Sequence, residues 1–183
     1  MAARVPYVKR EELDAEGQEI YDRIRRDRNA PEVGLQFRAL LNSPKATSCL
    51  TSLGAELRFR NAMPADLTEL AIITLAREWN SDIEWTAHSA LAAKAGVKGE
   101  KIEAIRTGKP LQGFTDAEQT VVRFCLELLR EKRLSDATFT AAQKLLGTRG
   151  VVDLTLTCGY YTAINMAQVA LRPEMEPGKQ STL

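Results

Sequence analysis

The chain has 183 residues, 44% of them apolar and 27% charged, with a formal net charge of +1. That apolar fraction is enough for a real core and excludes a disordered chain, and the length suits one compact domain. The near balance of charge gives no general electrostatic reason to expect nucleic acid or an anionic membrane surface as a partner.

Cys49, Cys125 and Cys158 are odd in number, far apart along the chain and in no metal-ligand or CxxC spacing, so no disulfide framework is expected. Met1-Ala2-Ala3-Arg4-Val5-Pro6 lacks the apolar stretch of a signal peptide. The longest apolar region, Val151 to Leu171, is interrupted by Asp153, Asn165 and Gln168 and reads as a buried helix rather than a membrane span. A soluble, cytoplasmic protein is the expectation.

Helical periodicity runs nearly throughout. Glu11 to Asp27 is charged, with Leu13, Ile20 and Ile24 as a thin apolar stripe, and predicts a surface helix that breaks at Asn29-Ala30-Pro31. Phe37 to Leu41 gives a short apolar turn, and the next helix runs through Leu50, Leu53, Leu57 and Phe59. Pro64 suits the first turn of a helix from Ala65 to Trp79, which is apolar on most sides and therefore central. Ser81 opens the following helix, which stops at Gly96. Thr115-x-x-Glu118 is a capping-box pattern, Ser135 caps a short helix ending near Gly147, and Val151 to Leu171 forms the last. With no alternating strand pattern, the chain is predicted to be all-α with about seven or eight helices. An N-terminal helical extension over 1–35, a helical domain over 36–172 and a tail over 173–183 are expected.

The only histidine, His88, lies four residues after Glu84, so on a helix the two share a face. A carboxylate beside an imidazole is a proton-transfer pair at neutral pH. Ser81 and Glu84 also have the spacing of a capping box, which explains both without catalysis. On the same helix Ile83, Ala87, Ala90 and Leu91 read as the buried stripe, with Glu84 and His88 on its flank. A flank histidine can equally be a structural hydrogen bonder. Glu69 shares a face with Ile72, Ile73 and Ala76 and should be part-buried, either as a third acid/base group or in an ion pair with Arg58 or Arg77. One His with carboxylates lacks the further ligands typical of zinc, and no GxGxxG or GxxxxGK[ST] loop is present, so neither a metal nor a nucleotide cofactor is expected.

Leu67-Thr68-Glu69-Leu70-Ala71-Ile72, then Glu84-Trp85-Thr86-Ala87-His88, then Ala92-Ala93-Lys94-Ala95-Gly96-Val97 resemble the carboxymuconolactone decarboxylase and alkylhydroperoxidase D superfamily. The resemblance is strongest from about Phe37 to Val97, and Gly159-Tyr160-Tyr161 resembles the C-terminal part of longer members. It implies an alkylhydroperoxidase D-like helical fold. In the peroxidase branch a Glu, a Cys-x-x-Cys and a His carry the chemistry, and these positions fall on Glu69, Ser81, Glu84 and His88. Serine and carboxylate supply no thiolate, so CxxC-type peroxidase activity is not expected. The decarboxylase-like branch lacks the cysteine pair. It implies cofactor-free proton transfer on a small carboxylated lactone or related acid, with His88, Glu84 and Glu69 catalytic. Ser81, Arg58 and Arg77 are then candidates to hold substrate, and a trimer or hexamer is the implied assembly. The rival reading is a catalytically silent, oligomeric ligand-binding or scaffold protein of the same fold.

Overall fold

The computed structural model describes residues 2–183, so Met1 of the expected 1–35 extension and leader reading lies outside the described residues. Helices α1 (Ala15–Asp27), α2 (Leu35–Leu40), α3 (Pro44–Phe59), α4 (Ala65–Glu78), α5 (Asp82–Lys94), α6 (Gly99–Thr107), α7 (Asp116–Leu126) and α8 (Asp136–Leu171) follow one another, with no strand among the described residues. None of these helices is long and apolar enough to cross a membrane.

The fold is organised around α4. Pro64 caps its start, and Leu67, Leu70, Ala71, Ile72, Ile73, Leu75 and Ala76 are all buried. A helix apolar on most sides has to be wrapped, and α5, α7 and α8 pack against it. Its two sides feed two clusters. Leu67, Ile72 and Leu75 join Phe124, Leu154 and Tyr161 in one, while Leu70, Ile73 and Ala76 join Trp85, Ile105 and Phe114 in the other. Each buried Leu or Ile of this kind contributes about 1.5–3 kcal/mol.

Local signals in the sequence account for most helix ends. Thr115 and Glu118 form a reciprocal capping box at the start of α7. Ser135 caps α8 through the Thr138 amide. At Gly147 the backbone takes φ 68° and ψ 176°, a conformation nearly restricted to glycine, and α8 bends into arms 136–146 and 148–171. Those arms are the two separate helices expected there.

Three readings need correction. Helix α1 is less superficial than its charge suggests, since Ile20, Tyr21 and Ile24 enter the main core. Helix α6 was not anticipated: it is short, starts without a side-chain cap and carries only Ile105 as a buried apolar residue. Helix α5 is turned relative to expectation. Glu84, Trp85, His88 and Ala92 are buried, while Ala87 and Ala90 are exposed and Ile83 and Leu91 only half-buried. Polar groups can face inward there because α4 and α8 supply partners for them.

Candidate functional site

Glu69 on α4 and Glu84 and His88 on α5 converge. His88 Nδ1 lies 2.7 Å from Glu69 Oε2, and His88 Nε2 lies 3.2 Å from Glu84 Oε2. His88 and Glu84 are only 3% and 4% exposed, whereas the part-buried Glu69 side chain keeps 16% of its surface. Glu69 thus pairs with the histidine and not with an arginine. The Tyr161 hydroxyl on α8 reaches within 3.5 Å of His88 Nε2, and its ring meets the imidazole edge-on at 5.3 Å.

Gln168, two turns further along α8, ties the far side together. Its Nε2 donates to Glu84 Oε1 at 2.8 Å and also to Gln36 Oε1, and its Oε1 accepts from the Ser81 hydroxyl. The Ser81–Glu84 capping box therefore does not form. Ser81 has N-cap backbone geometry, but its side chain makes no capping hydrogen bond and faces Gln168 instead. Glu84 is likewise turned inward to His88 and Gln168.

Electrostatics follow from this geometry. Burial alone would push His88 down, but hydrogen bonds to Glu69 and Glu84, reinforced by their charges, hold it above its ordinary value. Burial alone would push Glu84 up; the His88 hydrogen bond and charge, the Gln168 amide and the charge of Arg58 hold it below. The imidazole thus bridges two carboxyl groups, with each ring nitrogen facing one carboxyl oxygen. Burial drives the Tyr161 phenol well above its usual value, so it stays protonated.

The arginines divide. Arg58, on α3, is close enough for its charge to act on Glu84, Tyr160 and Tyr161. Arg77 is not at this site: its Nε donates to the Arg106 carbonyl oxygen at 2.6 Å, and it lines a separate cleft of about 450 Å³ with residues of α6 and α7. It points away because α6, absent from the expected element list, supplies its acceptor.

The inner face of α8 carries residues that the sequence reading treated as interruptions of an apolar helix or passed over. Thr157, Tyr161, Asn165 and Gln168 recur at spacings of four, four and three, and so share that face. Asn165 is fully buried with both amide atoms unpartnered, and the Thr157 hydroxyl is also buried and unpartnered. Such groups are costly to leave unsatisfied and mark the polar side of the site. Buried polar residues recurring at helical spacing are the signal that could have located them.

No family profile and no curated protein matches the sequence. Solved structures do match. A protein from Ralstonia eutropha JMP134, described as an uncharacterized peroxidase-related protein with an alkylhydroperoxidase AhpD core, superposes with a TM-score of 0.75 at 13% identity, covering 94% of this chain and 92% of that one. A protein of unknown function from Agrobacterium tumefaciens, for which an antioxidant-defence AhpD role has been suggested, gives a TM-score of 0.64 at 13% identity over 73% of this chain and 92% of that one. At such identity the likeness speaks for the fold alone. The chain has the all-helical, alkylhydroperoxidase D-like fold that its sequence resembles.

Proposed function

We propose that this protein is a cofactor-independent enzyme that transfers a proton on a small carboxylated substrate, a lactone or an aromatic-derived acid, in the manner of a carboxymuconolactone decarboxylase. The observation that carries the reading is the Glu69–His88–Glu84 chain, whose two carboxyl groups hold the buried imidazole above its ordinary value. His88 Nε2 is the working nitrogen, because its contact to Glu84 is the longer one while Nδ1 stays anchored on Glu69. Loss of carbon dioxide would leave an electron pair delocalised into an adjacent carbonyl. His88 then gives its Nε2 proton to carbon, Glu84 stabilises the cationic form beforehand, and Glu69, the most exposed member, returns a proton from water. Ser81 acts through Gln168 on Glu84, and the charge of Arg58, which already acts on Glu84, attracts the substrate carboxylate. Ser81 and Glu84 stand where the resembled peroxidases carry cysteines, so thiol-dependent hydroperoxide turnover is not part of this reading.

The proposed assembly is a homo-oligomer, a trimer or hexamer. Its support is the outer face of α8, where Val152, Leu156 and Met166 are 43–51% exposed and fall in register with Gly159 and Ala163. Light scattering on Leu156→Glu and Met166→Glu variants tests it, with a shift to monomer expected.

Turnover is tested by following a panel of carboxylated lactones in D₂O by NMR. Deuterium should enter the product at carbon, and His88→Ala should lower the rate by about 10²–10⁴-fold with the fold intact. An equally active His88→Ala enzyme would remove the proposal. The scaffold reading stays in view because His88 and Glu84 are so thoroughly enclosed. It requires that no substrate of the panel turns over and that His88→Gln leaves ligand binding unchanged.

A further inference from the structure

Arg28 follows α1 directly and belongs to no ion pair among the described residues. Its Nε and Nη1 are buried with no hydrogen-bond partner. The guanidinium is stacked 4.0 Å from the Phe37 ring centroid and lies beside the Tyr160 phenol. Gly54 leaves the room that phenol occupies: a Cβ there would collide with its oxygen. Arg58, one turn beyond Gly54, also makes no ion pair among the described residues, and its charge opposes that of Arg28. Burial pushes Arg28 below its ordinary value, yet a guanidinium stays charged in a protein. The charges of both arginines therefore act on Tyr160 and Tyr161, while Asp27, whose charge also reaches Arg28, is paired with Arg23.

Two buried guanidinium nitrogens without a partner, on a half-buried arginine that makes no ion pair among the described residues, are a cost that packing alone does not explain. The place is also close to the proton-transfer chain. Tyr160 meets Tyr161 edge-on at 5.0 Å, and Tyr161 meets His88 edge-on at 5.3 Å. We infer that Arg28 and Arg58 form the carboxylate-binding end of the site, receiving the carboxylate of a flat, cyclic monocarboxylic acid whose ring lies along Phe37 and Tyr160. The inference rests on the proposed function for its choice of substrate class, and adds Arg28 as the residue that selects it. A planar acid suits a guanidinium already stacked on the Phe37 ring beside Tyr160, and guanidinium N–H groups suit carboxylate oxygens.

The test is calorimetric titration of the full chain with sodium benzoate, benzamide and inorganic phosphate. Benzoate should bind, and benzamide and phosphate should bind at least ten-fold more weakly. Arg28→Met should weaken benzoate by about ten- to a hundred-fold, Arg28→Lys and Arg58→Met by less, and Arg77→Met not at all. The same Arg28→Met protein, freed of two buried and unpartnered N–H groups, should melt at or above the wild-type temperature without ligand. A merely structural arginine would do the reverse, lowering the melting temperature and leaving benzoate affinity unchanged. That result overturns the inference, as do equal binding of benzoate and benzamide, phosphate binding as tightly as benzoate, and no binding at all. Benzoate binding that needs Arg28 in a protein that turns over no lactone would sink the proposed function and leave the anion site standing. Lactone turnover with affinity indifferent to Arg28 would do the opposite.

Discussion

Two buried charge clusters in the molecule are built differently. Lys101 on α6 and Glu118 on α7 form a one-to-one pair at 2.6–2.7 Å, and Glu118 also accepts from the Thr115 backbone and hydroxyl as part of a capping box. Every strong donor there has an acceptor and the charges cancel. In the Glu69–His88–Glu84 cluster two carboxyl groups share one imidazole, and Asn165 and Thr157, on the α8 face that carries Tyr161 and Gln168, bury polar atoms without partners. Burial of charge therefore does not by itself distinguish a working site from a structural one. Imbalance does, because an unsatisfied group persists only where something else needs it.

The comparison can be broken most directly by removing one member of each cluster. His88→Ala should cost two orders of magnitude or more in turnover, whereas Lys101→Ala should leave turnover per folded molecule unchanged. The stability effect should run the other way in prominence. Lys101→Ala strands a buried carboxylate and should cost about 3 kcal/mol in urea unfolding, the low end for a broken buried pair because both side chains keep an edge in water. Equal losses of activity in the two variants would erase the distinction.

Gln168→Leu comes next. It removes the amide that satisfies Glu84 and Ser81 together, and should cost about 1–3 kcal/mol while raising the pH at which Glu84 ionises. NMR titration of the Glu84 carboxyl checks the second half.

The pH dependence separates the clusters by sign. His88 is held above its ordinary 6.5, so its contribution is complete below 6.5 and is lost as pH rises through the raised value. Glu84 and Glu118 are both held below 4.5, so theirs are complete above 4.5 and lost as pH falls through the lowered values. The stability difference between wild type and His88→Gln should therefore shrink on the alkaline side, and that between wild type and Glu118→Gln only in acid. Denaturant midpoints measured from about pH 2 to about pH 9, which spans ordinary and lowered carboxylate values as well as the imidazole range, would show it.

The smallest contrast concerns two helix starts with the same sequence pattern. Thr115→Ala should cost about 1 kcal/mol and fray α7, since the cap is real there. Ser81→Ala should leave the α5 amides as protected from hydrogen exchange as before, since Ser81 caps nothing.

That pair also shows what the sequence could and could not say. Ser-x-x-Glu and Thr-x-x-Glu are indistinguishable along the chain, and only the position of Gln168, far away in sequence, turns one of them inward. Helix α4, the stop at Gly96 and the break at Gly147 were legible because each rests on a local rule. Helix α5 was read the wrong way round because amphipathicity assumes polar residues face water. A polar-in site with alanines outside inverts that assumption. His88, Glu84 and Glu69 were nevertheless found, by residue type and by resemblance. Arg28 was not, because it follows Arg23, Arg25 and Arg26 in a charged helix and looks like one more solvated cation. Tyr161 and Gln168 gave no warning that they bear on His88 and Glu84, since the contacts span 73 and 84 residues.

Cys125 and Cys158, so far apart in sequence, bring their sulfurs to 3.7 Å between α7 and α8, both as free thiols inside the core. The hydrogen bond between them, then burial, holds Cys125 well above the usual thiol value, and a protonated thiol is a poor nucleophile. Cys49, by contrast, is exposed. The molecule thus contains its own clock: an alkylating reagent reaches Cys49 at once and the inner pair only when the helices part. The delay between the two reactions measures how often the native protein opens, with no label added and no residue changed.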